Sequence, residues 1–168
     1  MLRALVDAPL EPLLLGHIAE DAYWESVLAL APRQVPIPEL RRAVRENFAQ
    51  PVPGMPELVL ELAKRHRLVL HSDHAAEWID DVLPMHPFLS EAFESMFFSY
   101  ALGSLKTSSA SFHAVLRRIG ETPRDCLFID DNPTNVATAL SIGLPSIRFQ
   151  DVGALRAALH SHLDPVVP

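Results

Sequence analysis

The chain has 168 residues, 49% of them hydrophobic and 21% charged, which suits one soluble domain with a core and excludes a disordered tail or a fibrous repeat. Lys and Arg number 14 against 21 Asp and Glu, and the formal net charge of −7 argues against a sequence-independent grip on nucleic-acid phosphates or anionic membranes. The single cysteine, Cys126, makes no internal disulfide and no thiolate zinc pair, which fits a reducing, cytoplasmic setting.

The opening MLRALVDAPLEPLLLG carries Asp7, Glu11 and prolines, so it reads as a poor secretory signal, and no apolar run is long enough to span a bilayer. From Leu2 to about Asn47 the apolar spacing is helical: Ile18, Tyr23, Trp24, Val27 and Leu28 form one stripe, and Leu40, Val44 and Phe48 another. The prolines between Pro51 and Pro56 punctuate the chain and place a boundary near residue 50. Beyond it the spacing predicts a helix over 57–66, a strand at Leu68–His71 closed by Ser72-Asp73, a short helix over 75–82 and a strand at 95–99. A helix follows over 108–120, with Ser at its start and Gly at its end. Cys126–Ile129 reads as a strand ending in Asp130-Asp131, then come a helix over 134–141, a strand over 145–149 and a helix over 152–163. Strands alternating with helices predict an α/β fold, a Rossmann-like parallel sheet with helices on both faces, and ligands bind such sheets at the carboxyl ends of the strands.

Ser72, Lys106 and the pair Asp130-Asp131 fall at or just after such ends. Two adjacent carboxylates closing an apolar strand are costly unless a cation or hydrogen-bond donors meet them, and oxygen ligands of this kind suit Mg²⁺. The bland reading makes one Asp a helix cap and leaves the other in solvent. Lys106 offers a point charge to a phosphoryl oxygen, although alone it reads as a surface lysine. Ser72 at a strand-to-helix turn can bind phosphate through its hydroxyl and neighbouring amides, or simply cap the helix.

In this order the residues resemble the core of the haloacid dehalogenase-like (HAD) hydrolase superfamily: PVPGMPELVLELAKRHRLVLHSDH, SYALGSLKTSSASFHAVLRRIG and CLFIDDNPTNVATALSIGL match its second, third and fourth motifs. The helical first third, with LLLGHIAEDAYWESVL, is similar to the family's small cap, giving a cap over 1–50 and an α/β core over 51–168. The resemblance implies phosphomonoester hydrolysis on a small phosphorylated metabolite. Ser72 would then contact the phosphoryl group, Lys106 would steady its charge, Asp130 and Asp131 would hold Mg²⁺, and Asn135 would support the pair. Two departures are small: Thr107 stands where the family usually has Pro, and Asp73 where it often has Asn, which adds negative charge to a substrate-binding position.

The third departure is large. The family carries Asp-x-Asp at the end of its first strand, and no Asp-x-Asp occurs in residues 1–50. Without that nucleophile no phosphoaspartyl intermediate forms, and the chain is expected to be inactive or nearly so. Three explanations stand: the chain starts too far into the domain, which is preferred; Leu2–Val6 is a shortened first strand with Asp7 at the nucleophile position and Pro9 where the proton-transferring acid belongs; or the protein is a non-catalytic homologue that binds phosphate and Mg²⁺ or a protein partner. Because the family's first strand lies mid-sheet, the strands ending at Ser72 and Asp130 are expected to become direct neighbours, unless residues 1–7 or another chain fill the space.

Other classes fit less well. A receiver domain would carry its acid pair first and its Lys last. A zinc site from His71, His74, His160 and His162 conflicts with their directions, so these read as core or solvated histidines. Trp24, Phe93, Phe97 and Phe98 read as core rather than interface. A sheet lacking its central strand would favour a homodimer through its exposed edges.

Overall fold

The computed structural model describes residues 10–163. The first third is helical, with α1 (Leu10–Leu14), α2 (Glu20–Leu30) and α3 (Ile37–Phe48). Pro38 sits in the first turn of α3, where its missing N–H removes no intrahelical bond. Leu13, Tyr23, Trp24, Val27 and Leu40 point into one apolar cluster, which Ala75 and Trp78 at the start of α5 (Ala76–Met85) complete.

A buried charge fixes this packing. Glu20 is only 2% exposed, and both its carboxylate oxygens accept hydrogen bonds from the Arg45 guanidinium. The indole N–H groups of Trp24 and Trp78 donate to the same carboxylate at 2.9 and 2.8 Å, and Arg45 Nε reaches Asp81 at 2.7 Å. Burial works to raise the Glu20 pKa, but the hydrogen bonds from Arg45, Trp24 and Trp78 and the Arg45 charge outweigh it and hold the carboxyl below its usual range. One carboxylate therefore joins α2, α3 and α5.

From residue 55 onward strands and helices alternate: α4 (Met55–Ala63), β1 (Val69–Ser72), α5, α6 (Pro87–Ala92), β2 (Ser95–Phe98), α7 (Ser99–Leu102), α8 (Ser109–Ile119), β3 (Phe128–Asp130), α9 (Pro133–Ser141), β4 (Ser146–Arg148) and α10 (Val152–Leu163). Local chemistry sets the ends. Ser108 caps α8 by accepting from Ala110 N, and Gly120 ends it in the left-handed region at φ +75°, a conformation that any side chain would strain. Asn132 caps α9 by accepting from Thr134 N at 2.9 Å. Residues alternate across β3 and the stretch before it: Leu127 and Ile129 pack with Leu58, Leu155 and Leu159 beneath α4 and α10, while Cys126 and Phe128 pack with Phe112, Ala139 and Leu144 beneath α8 and α9.

The strands form two parallel pairs rather than one sheet. β1 pairs with β2 in the register Val69 to Ser95 through Ser72 to Phe98, and β3 pairs with β4 from Phe128 to Ser146 through Asp130 to Arg148. Of the alternatives expected for β1 and β3, direct pairing is not found: among the described residues no ladder joins them. Residues 1–7, the other expected occupant, lie outside the described residues. Strands of a closed α/β core are buried on both faces, whereas β1 is half-buried along its whole length. Side chains bridge where backbone does not: Phe112 of α8 meets the His71 ring edge-on at 5.1 Å and the Phe128 ring edge-on at 4.9 Å.

Removing Glu20 leaves Arg45 in a half-buried site with one partner fewer. Glu20→Ala is expected to lower the unfolding free energy by about 3–5 kcal/mol in urea titrations, and a loss below about 1 kcal/mol would show that the network is not structural.

Candidate active site

The carboxyl ends of β1 and β3 meet at one side chain. Lys106 follows α7 through a turn made at Gly103, whose φ is +66°. Its backbone N–H donates to both carboxylate oxygens of Asp73, at 3.1 and 3.2 Å, and its ammonium donates to Asp130 Oδ2 at 2.6 Å. Asp73 follows β1 and Asp130 ends β3, so one residue touches both half-sheets. Asp130 is 8% exposed and well satisfied, because Oδ1 also accepts from Asn132 N at 2.8 Å and Asn135 Nδ2 lies 3.2 and 3.3 Å from the two oxygens. A buried carboxylate needs this many donors; Asn132 and Asn135 supply two of them within five residues, and Lys106 comes from 24 residues away.

The other expected site residues lie at the same edge. Ser72 ends β1, and its hydroxyl has no partner among the described residues. Asp131 is exposed and turns only its backbone carbonyl to Arg148 Nε, at 3.3 Å. Asn135 Oδ1 is buried and has no partner among the described residues. Asp73 plays a part that spacing alone missed: it holds the backbone of the Lys106 loop. Burial pushes its carboxyl above the usual range, and the Lys106 N–H bond and the Lys106 charge oppose that rise.

These donors fit Mg²⁺ in one mode only. The ion dehydrates reluctantly and is often held by one or two carboxylates, with waters and substrate phosphate completing its shell. Asp131 is the open carboxylate, Asn135 Oδ1 is a buried acceptor with capacity to spare, and Asp130 is committed to Lys106. Among the described residues no group of three or more His, Cys, Asp or Glu is placed so that it could hold a metal ion. His71 and His74 are instead half-buried, and burial lowers both pKa values, that of His71 to about 4. A cavity between α4 and α10, lined by Leu58, Leu62, Arg65 and Arg156, includes none of the strand-end residues.

With this geometry in place, the comparisons agree on one fold. The profile of the family described as haloacid dehalogenase-like hydrolase matches residues 13–143. Flavin mononucleotide hydrolase 1 of Arabidopsis thaliana, a chloroplast protein, is 30% identical over 119 residues, which is 69% of this chain and 46% of that protein. The chain thus spans about half the length of that relative. A HAD-like family hydrolase of Porphyromonas gingivalis superposes with a TM-score of 0.73 at 20% identity, over 94% of this chain and 82% of that one. The magnesium complex of a HAD family enzyme from Bacteroides thetaiotaomicron gives 0.74 at 19% identity, over 98% and 83% of the two chains. At these identities the solved structures speak to the fold alone, and they agree with the α/β architecture expected from the strand and helix order.

Titration of the buried imidazoles gives a pH signature. The His71 pKa is lowered in the folded state, so the unfolded chain binds more protons between about pH 6.5 and 4. Its stabilising effect is full above pH 6.5 and is lost as pH falls through that window. His74 works in the same direction, whereas the raised carboxyl of Asp73 gives stability that is full below its unfolded pKa and is lost as pH rises through its folded value. The unfolding free energy should fall by roughly 3 kcal/mol from pH 6.5 to 4 on account of His71, and His71→Phe should flatten most of that slope in denaturant titrations.

Proposed function

The chain belongs to the haloacid dehalogenase-like hydrolase family, and on that premise we propose that the edge where Lys106 meets Asp73 and Asp130 binds the phosphoryl group of a small phosphorylated molecule. The observation that carries this reading is the Lys106 ammonium. It is held 2.6 Å from Asp130 at the end of β3, while its backbone N–H is held by Asp73, which follows Ser72 at the end of β1. Ser72 donates to a phosphoryl oxygen, Lys106 offsets its charge, and Asp73 keeps the Lys106 backbone in place. Asp131 holds Mg²⁺; when bound, the ion neutralises phosphoryl charge that an acidic chain would otherwise repel. A phosphomonoester of a cofactor, of which flavin mononucleotide is the example named by the Arabidopsis relative, is the substrate class we propose.

Chemistry is the weaker half of the reading. Residues 1–50 hold no Asp-x-Asp, and Asp7, the one candidate stand-in, lies outside the described residues. Asp130 is occupied by Lys106, Asn132 and Asn135, so it is not poised to attack phosphorus. Binding therefore outlasts turnover. Inorganic phosphate with Mg²⁺ is expected to bind saturably in calorimetry and to bind at least about tenfold more weakly to Asp131→Ala, because a phosphate clamp depends on its cation. Phosphate release from an aryl phosphate or flavin mononucleotide should stay near background. Robust turnover abolished by Asp7→Asn would contradict the low activity, and absence of phosphate binding would contradict the site.

A further inference from the structure

We infer that His71 is a positioning residue for Lys106, acting through Ser111 on the loop that carries the lysine. His71 lies in β1, and its Nε2 is 2.7 Å from Ser111 Oγ; Ser111 Oγ in turn lies 3.2 Å from the backbone carbonyl of Ser104, two residues before Lys106. Ser111 is fully buried, so no solvent competes for these bonds. The proton count fixes the direction. A carbonyl only accepts, and a hydroxyl has one proton. Ser111 donates that proton to Ser104, so its oxygen accepts from His71, which must carry its proton on Nε2. Burial keeps the ring neutral, and its edge contact with Phe112 at 5.1 Å holds the plane that aims Nε2 at Ser111.

The geometry explains why β1 places these side chains two apart. His71 and Asp73 have the spacing of one strand face, and both reach the same loop. Asp73 takes the N–H of Lys106 directly, and His71 takes the carbonyl of Ser104 through Ser111. The loop is thereby pinned at two points two residues apart, and the intervening backbone has little freedom to swing. That restraint sets the lysine ammonium against Asp130 at 2.6 Å. Without the His71 strut the Asp73 bond acts as a single pivot, and the ammonium samples positions away from the strand ends.

This role rests on the phosphate-binding reading above, and the experiment separates the two. The ¹⁵N spectrum of His71 should show a neutral ring with its proton on Nε2 from pH 5 to 9. His71→Phe keeps a ring against Phe112 but loses the donor. It should shift the amide resonances of Ser104–Lys106 and weaken binding of inorganic phosphate with Mg²⁺ by about fivefold to tenfold. Ser111→Ala should do the same, the double variant should lose no more than either single one, and His71→Gln, whose amide N–H reaches toward the same oxygen, should recover most of the affinity. A proton on Nδ1, additive losses, or wild-type affinity in His71→Phe would overturn the strut. If the wild-type chain binds no phosphate, the functional reading fails, while the tautomer and the loop resonances still decide the strut.

Discussion

The contact between the Lys106 ammonium and Asp130 is the constraint on which the rest of the site depends. Among the described residues no backbone ladder crosses from β1 to β3, and contacts of Phe112 and Lys106 reach both half-sheets. Phe112 bridges them between the rings of His71 and Phe128, and Lys106 bridges them at the carboxyl edge. Apolar bridging is non-directional and tolerates sliding, whereas an ion pair with side chains only 12% and 5% exposed does not. Taking two such charges out of water is repaid only when the remaining hydrogen-bonding capacity is met, and breaking one partner away costs about 3–5 kcal/mol. Asn132 N and Asn135 Nδ2 meet that requirement for Asp130, and Asp73 meets it for the backbone of Lys106.

From this follows the character of the site. In the proposed function the same cation that pairs with Asp130 is the charge offered to an anion, so ligand binding and fold integrity would share one residue. Asp131, adjacent to Asp130, is exposed, so one acid of the dipeptide is buried in hydrogen bonds and the other faces solvent. The helical first third is organised on the same physics: Glu20 is buried, yet Arg45, Trp24 and Trp78 supply the donors it lost from water.

Much of this was legible in the sequence. The helical spacing of Tyr23, Trp24, Val27 and Leu40 gave the first third, Ser108 and Gly120 marked both ends of α8, and the apolar runs closed by Ser72 and Asp130 put the polar residues at strand ends. Strand ends were legible because burial forces apolar composition, and composition changes abruptly where the strand meets water. Pairing was not. Which strand sits beside which depends on residues far apart in the chain, and among the described residues no ladder joins β1 to β3. The work of Asp73 and the His71–Ser111–Ser104 connection were equally hidden, since hydrogen bonds between residues 33 and 40 positions apart leave no periodic trace. The one local signal was the two-residue spacing of His71 and Asp73 on a strand.

Amide hydrogen exchange in Lys106→Met tests the central claim most directly, because it removes the ammonium while leaving the N–H bond to Asp73. The account predicts that the amides of Asn132 and of β3 exchange at least about tenfold faster than in the wild-type chain, as the Asp130 carboxylate loses its charge partner and the halves loosen. Unchanged protection in β3 would show that Lys106 does not join the two half-sheets and would contradict the account.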